Sequence, residues 1–285
     1  MSTVGRVKSI WRYPVKSMMG EDLQQCEVGP LGLPGDRGWA LRDDVQVRGA
    51  KKFPVLMQCR AEYLSEPTSG KIPEVRFELP DGSTTDSQDE GVNEKLSNVV
   101  GKPVRLYPRQ PANDLDYYRR KEKVDKESSR ELFGRLPDEP LPDLRKMIPA
   151  DILNQLKDYT SPLGTYFDAF PIHFVTTSWL TELKKQNPTT RFEAERFRPN
   201  FLIESSGEGY VEESWCGGTI RIGTAELKCE VPTVRCSMTI QKTGDLPKDP
   251  KVLRTIVSNS GQNVGAYARI SKVGLVRIGD SVELL

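Results

Sequence analysis

GTIRIGTAELKCEVPTVRCSMTI, residues 218–240, sets three short β-rich runs end to end: GTIRIG, AELKCEV and VRCSMTI. Each reads as a strand. In the last of them Val234, Cys236, Met238 and Ile240 fall on one side, and Arg235, Ser237, Thr239 and Gln241 on the other, because successive strand residues point to opposite faces. On that reading Cys236 lies on an apolar face and Arg235 points away from its sulfur. The alternation favours a cysteine acting as a small core residue. The other reading, a cysteine that serves as a ligand, stays open at this point.

FRPNFLIE, AYARIS and SVELL add strands around this stretch. A helix separates them, with Asp249 as N-cap, Pro250 in its first turn, and Leu253, Ile256 and Val257 on its apolar face. Upstream, PIHFV (171–175) reads as a buried strand and TTSWLTELKKQ as a short helix that places Trp179, Leu180 and Leu183 on one face. In the first half, residues 4–13, 38–43, 55–64 and 73–79 are β-rich runs separated by Gly and Pro signals such as GPLGLPGD at 29–36. A helix over 89–100 ending at Gly101 and a strand over 103–107 follow. The predicted fold class is mainly β with a few helices (α+β), a barrel or sandwich with helices packed on it. The expected organisation is a β domain over 1–107, a connecting insertion over 108–150 and a second β domain over 151–285. The insertion is charge-dense (YYRRKEKVDKESSRELFGR) and then Pro-rich. It reads as a solvated helix and linker, or as a lid over a site.

The chain has 285 residues, with 41 Lys plus Arg against 40 Asp plus Glu, so a formal charge of +1 gives no global field toward nucleic acid or an anionic membrane. No run of about 18 apolar residues is present to span a bilayer and no signal-peptide pattern opens the chain, so a soluble cytoplasmic protein is expected. The cysteines at 26, 59, 216, 229 and 236 include no C-x-x-C pair, which argues against a disulfide framework or a zinc ribbon. His173, the only histidine, reads as structural.

Four places could carry chemistry. Lys16 and Ser17 in RYPVKSMMG stand in a turn where an ammonium, a hydroxyl and free backbone N–H groups suit an anion. Asp36 and Arg37 enter a strand as a local ion pair or as an anion-facing guanidinium. The hydroxyls of Thr176 and Ser178 open a helix, where they serve as caps or as an anion site. Arg198 and Asn200 alternate with Phe197 along a presumed strand, and an inward arginine there needs an anion.

The order of these motifs, YPVKS-x-x-G, GDRGW, GTYFDAFPIHFVTTSWL, RFRPNFLI, VRC and GDSVELL, resembles the MOSC-domain proteins, named for the carboxy-terminal domain of molybdenum cofactor sulfurase. The likeness includes a preceding MOSC N-terminal β-barrel domain and covers nearly the whole chain apart from 108–150. It is especially similar to the N-hydroxylated-compound reductases of the mitochondrial amidoxime-reducing type. The resemblance implies a MOSC β-barrel, molybdenum bound as Mo-molybdopterin, and Cys236 as both metal ligand and catalytic residue. A soft thiolate suits that metal. It further implies that Lys16, Ser17, Arg37, Asp168, Thr176, Arg198 and Asn200 hold the cofactor. Val234 and Ala169 stand where the amidoxime-reducing pattern has serine and threonine, which removes two hydrogen-bonding groups from the pocket. The implied activity is reduction of N-hydroxylated, or other N- or S-oxygenated, small molecules. The chain has no C-x4-C-x2-C run, so electrons are expected from a separate ferredoxin, flavoprotein or cytochrome. A carrier of the cofactor or of sulfur, independent of pyridoxal phosphate, and a cofactor-free barrel are the alternatives.

Overall fold

Val7 and Ile10 turn inward along an 11-residue strand, β1 (Ser2–Arg12), whose two edges both find partners in the far half of the chain. The computed structural model describes residues 2–285. After β1 come β2 (Glu21–Leu23), β3 (Gln25–Val28), β4 (Trp39–Arg42), β5 (Val47–Arg48), β6 (Arg60–Tyr63), β7 (Val75–Glu78), β8 (Thr84–Asp86), the helix α1 (Val92–Val100) and β9 (Arg105–Pro108). β4, β5 and β9 make one small antiparallel sheet and β6, β7 and β8 another. Their apolar faces enclose a core in which Val15, Met18, Leu41, Leu56, Phe77 and Leu96 are fully buried. As the sequence predicted, Gly101 ends α1 in the left-handed region (φ 72°), its N–H bonded to the Ser97 carbonyl.

The second half supplies β10 (Ile172–Thr176), β11 (Phe201–Ser205), β12 (Thr219–Ile222), β13 (Ala225–Val234), β14 (Asn263–Lys272), β15 (Gly274–Arg277) and β16 (Ser281–Leu284). Neighbours run β11-β10-β14-β13-β12-β16-β1, and the β1–β11 pairing, with Ile10 beside Phe201, closes a seven-stranded barrel. Closure removes the unpaired edges an open sheet would expose. Phe174, Ile203, Ile220, Leu227 and Val282 fill the interior with no solvent exposure. All five residues of β10 are buried, because α6 (Thr177–Gln186) and α7 (Pro250–Asn259) cover the outer wall with Trp179, Leu183, Val252 and Ile256. Both helices stand where their caps predicted: the Thr176 hydroxyl accepts from Trp179 N and the Asp249 carboxylate from Lys251 N.

The amino end crosses the expected division at residue 107. β1 pairs with β11 and β16, and β3 with β15, so by hydrogen bonding residues 2–28 side with the barrel of the second half. The insertion is more than one helix and a linker. It holds α2 (Leu115–Tyr118), α3 (Lys126–Phe133) and α4 (Leu144–Met147), and α5 (Ala150–Asp158) starts at its last residue and continues beyond it. Asp114, Asp125 and Asp143 cap the first three by accepting from backbone N–H groups within the first turn.

Two predicted strands break early, and both breaks matter for the site. RFRPN (196–200) begins at the last residue of a 3-10 turn, Ala194–Arg196, continues as a loop with Arg198 at φ 53°, and gives way to the strand only at Phe201. VRCSMTI leaves β13 at Val234 and becomes a 3-10 turn over Ser237–Ile240 with Cys236 as its N-cap. Among the described residues no helix is long and apolar enough to cross a membrane.

Candidate functional site

Because β13 ends at Val234, Cys236 does not sit on an apolar strand face; it is half-buried in the wall of a cavity of about 780 Å³. Its flanks are held by backbone. The Cys236 carbonyl accepts from Thr239 N (3.1 Å) and Oγ1 (3.0 Å). Arg235 N donates to the Gln262 carbonyl (2.8 Å), while Gln262 Nε2 donates to the Arg235 carbonyl (2.9 Å). This return bond fits Gln262, which is fully buried at a positive φ of 77°.

Arg235 lines the same cavity, contrary to the alternation expected for a strand. Its guanidinium lies over the Phe197 ring (5.4 Å) and donates to the Phe197 carbonyl (2.9 Å), but its buried Nε has no partner. Desolvation pushes this arginine down, partly offset by Tyr267 and Cys236 nearby.

Two more guanidiniums share one aromatic ring: Arg198 lies 4.2 Å and Arg37 4.6 Å from the centre of Tyr13. Tyr13 is fixed by its hydroxyl to the Pro199 carbonyl (2.9 Å) and by its N–H to Asp36 (2.9 Å). Asp36 pairs with Arg37, whereas Arg198 reaches only the Met18 carbonyl. Burial, and then the neighbouring Arg37, push Arg198 down to about 10, so at neutral pH it remains a cation lining the cavity, in no ion pair among the described residues. Arg37 and Arg198 both take positive φ, and so does Ser17. Asn200 binds the loops together: it accepts from His173 N (3.1 Å) and donates to Asp36 (3.0 Å). His173 itself is buried and held neutral, its pKa driven well down by desolvation and then by Arg235. Gly265 lets the ring fit, since a Cβ there would stand 2.7 Å from His173 Nε2 and 2.4 Å from the Phe174 carbonyl.

The structure thus brings Arg37, Asp168, Arg198, Asn200 and Cys236 to one cavity. Lys16 does not line it, but reaches it through Asp168, donating to that carboxylate and to the Tyr166 carbonyl (2.8 Å each). Desolvation opposes ionisation of Asp168, but Lys16, Lys51 and Arg37 outweigh it and hold the carboxyl well below the usual range. Ser17 is behind the wall, its hydroxyl accepting from Ala50 N (2.9 Å) and so shaping the turn that carries Lys51. Thr176 is not brought to the cavity. It is fully buried, its N–H (2.8 Å) and hydroxyl (2.5 Å) both on Glu212. Sequence reasoning passed over Tyr13, Lys51 and Gln262. Tyr13 lay inside the quoted RYPVKS motif, where an aromatic beside two later arginines was the available signal.

With this geometry in view, the comparisons are specific. Residues 164–283 match the MOSC domain and residues 4–101 the MOSC N-terminal beta barrel domain, so the chain belongs to the MOSC-domain proteins. It is similar to the mitochondrial amidoxime reducing component 2 of Rattus norvegicus, 26% identical over 311 residues that cover 99% of this chain and 84% of the relative. It is also similar to the mitochondrial amidoxime-reducing component 1 of Homo sapiens, 22% identical over 330 residues, with 100% and 84% covered. Among solved structures, the YUAD protein of Bacillus subtilis aligns with a TM-score of 0.45 and 11% identity over 99% of this chain and 95% of that one. At the level of the family, the domain matches and the amidoxime-reducing relatives support a molybdenum-cofactor-related function.

Proposed function

We propose that the protein is a molybdenum-cofactor-dependent reductase of N-hydroxylated, or other N- or S-oxygenated, small molecules, supplied with electrons by a separate donor protein. One observation carries this reading: a cysteine in a cavity wall that also holds buried Arg198 and half-buried Arg37 and Arg235, of which Arg198 has no carboxylate in an ion pair among the described residues and Arg235 has an orphaned buried Nε. Such cations call for an anionic ligand. Among the described residues no group of three or more His, Cys, Asp and Glu could hold a metal. A metal in this cavity would therefore bring most of its ligands with it, as a pterin dithiolene does.

The donor set fits the molybdenum cofactor. Cys236 would supply the one protein thiolate, Arg37, Arg198 and Lys51 would meet the pterin phosphate, and Asp168, fixed by Lys16, would accept from the pterin N–H groups. When bound, the cofactor supplies two-electron redox chemistry and oxygen-atom transfer. In the net reaction the N–O bond breaks, and two electrons and two protons convert the substrate into its amine or amidine and water. Lys16, Lys51 and Arg37 hold Asp168 ionised, so it would orient groups as a hydrogen-bond acceptor.

The test is metal and pterin analysis of protein made in a host that synthesises the cofactor, with the Cys236→Ser variant beside it. Native protein should carry stoichiometric molybdenum and reduce an amidoxime with a chemical electron donor, and the variant should do neither. Native protein without molybdenum and pterin would end this reading; bound cofactor with no turnover across a broad N-hydroxylated panel would favour a carrier.

A further inference from the structure

Residues 102–163 fall between the two domain matches, yet they build one face of the cavity. From Ser129 to Asp158 that face is largely apolar: Leu132, Phe133, Leu144, Ile148, Leu153 and Leu156 line it with Ser129, Lys157 and Asp158, whereas Arg119, Arg120, Glu122 and Lys123 make the part before α3 charged. All of these apolar side chains but Ile148 are half-buried, so their surface borders the open space rather than vanishing into a core. The position of this face is set relative to Cys236. α3 packs on the turn Ser237–Ile240 and α4 on β13. Gln262 Nε2 joins the two sides directly, donating to the Phe133 carbonyl and to the Arg235 carbonyl at 2.9 Å each. Behind Leu144, Leu153 and Leu156 stand Ile152, Phe170 and Tyr267, the last two stacked at 5.1 Å. The cavity therefore joins a cationic part with Arg37, Lys51 and Arg198 to a mainly apolar patch from α3 to α5. Ligand sites combine a few placed polar groups with an apolar wall that takes the body of the ligand.

We infer that α3 to α5 form a specificity shelf beside Cys236, selecting substrates whose oxygenated nitrogen is attached to an apolar aromatic or branched aliphatic body. The inference rests on the reductase reading for the word substrate, but the shelf itself is a binding surface. A rigidly anchored shelf discriminates by contact area, and one apolar group in such a pocket changes kcat/KM by about tenfold or more.

The test compares benzamidoxime with acetamidoxime, on the holoenzyme and on Leu144→Ser and Leu156→Ser, two separate replacements at half-buried positions whose folding is checked by melting. The native enzyme should favour the aromatic probe by about tenfold or more through KM. Each variant should lose most of that preference while kcat for acetamidoxime holds. A preference unchanged in both variants would overturn the shelf. Calorimetric binding of benzamidoxime, run without an electron donor, separates the two ideas. Binding weakened in the variants supports the shelf even where neither amidoxime is reduced, a result that would remove only the reductase reading. Equal binding by all three proteins would overturn the shelf.

Discussion

The barrel and the 115–158 segment border the same cavity but are held together by different physics. Barrel side chains such as Ile220 and Phe174 are completely buried and their strands are paired on both edges. In the segment, α3 and α4 have no buried residue and α5 has only Ile152. The segment relies on caps, on Gln262, and on Arg254, which donates to both carboxylate oxygens of Glu139 (3.0 and 2.6 Å). The barrel can thus fix the position of Cys236, while the segment varies around it at little cost to the fold.

Ile220→Ala should bring out this contrast most strongly. It should lower the free energy of unfolding in urea by about 2–5 kcal/mol. Leu132→Ala, a truncation in half-buried α3, should cost under about 1 kcal/mol, scaled by the smaller area it removes from water. Equal losses would erase the distinction.

Next comes a titration confined to the barrel side. Burial pushes the Glu212 carboxyl up to about 7 against the hydrogen bonds from Thr176 that favour its charge. The folded state then binds a proton that the unfolded state has released, so stability is full below about pH 4.5 and declines as pH rises to about 7, on the order of 3 kcal/mol in all. Glu212→Gln should flatten that decline in urea titrations. A native profile that is level between these pH values would show that the carboxyl is not protonated there.

The smallest global effect should come from the latch. Side-chain bonding by Arg254, together with Leu136 N, holds the Glu139 carboxyl down at about 2, so the pair is intact above the ordinary glutamate range and is lost only as pH falls toward 2. Glu139→Gln should leave the urea midpoint in place yet speed tryptic cleavage within 119–135 at neutral pH. Cleavage at the native rate would mean that Arg254 does not secure the segment.

What could be read from the sequence follows the range of the forces involved. α7 was legible because Asp249 and Pro250 mark its start locally, and α6 because Thr176 caps it. α3 reads only as a solvated helix without bounds, because it presents no apolar face to a core. The two loops that build the site read as strands because alternation persists in the sequence through a 3-10 turn, whereas the positive φ of Arg198, directly before Pro199, has no side-chain signature. Cys236, Arg37, Arg198 and Asn200 were legible through motif order. The ring of Tyr13 under two arginines was not, since it joins residues 13, 37 and 198.

The closing strand of the barrel has a consequence for biosynthesis. β1 leaves the ribosome ahead of β2 to β16, but Gly5 pairs with Ser205 and Ser2 with Leu284. At about 5–20 residues per second, the first strand waits tens of seconds for its neighbours, with Val7 and Ile10 uncovered. The small sheets of the first half can meanwhile collapse on their own core. The barrel becomes complete only when β16 arrives, so its strands are the part of the nascent chain with the most need of a chaperone.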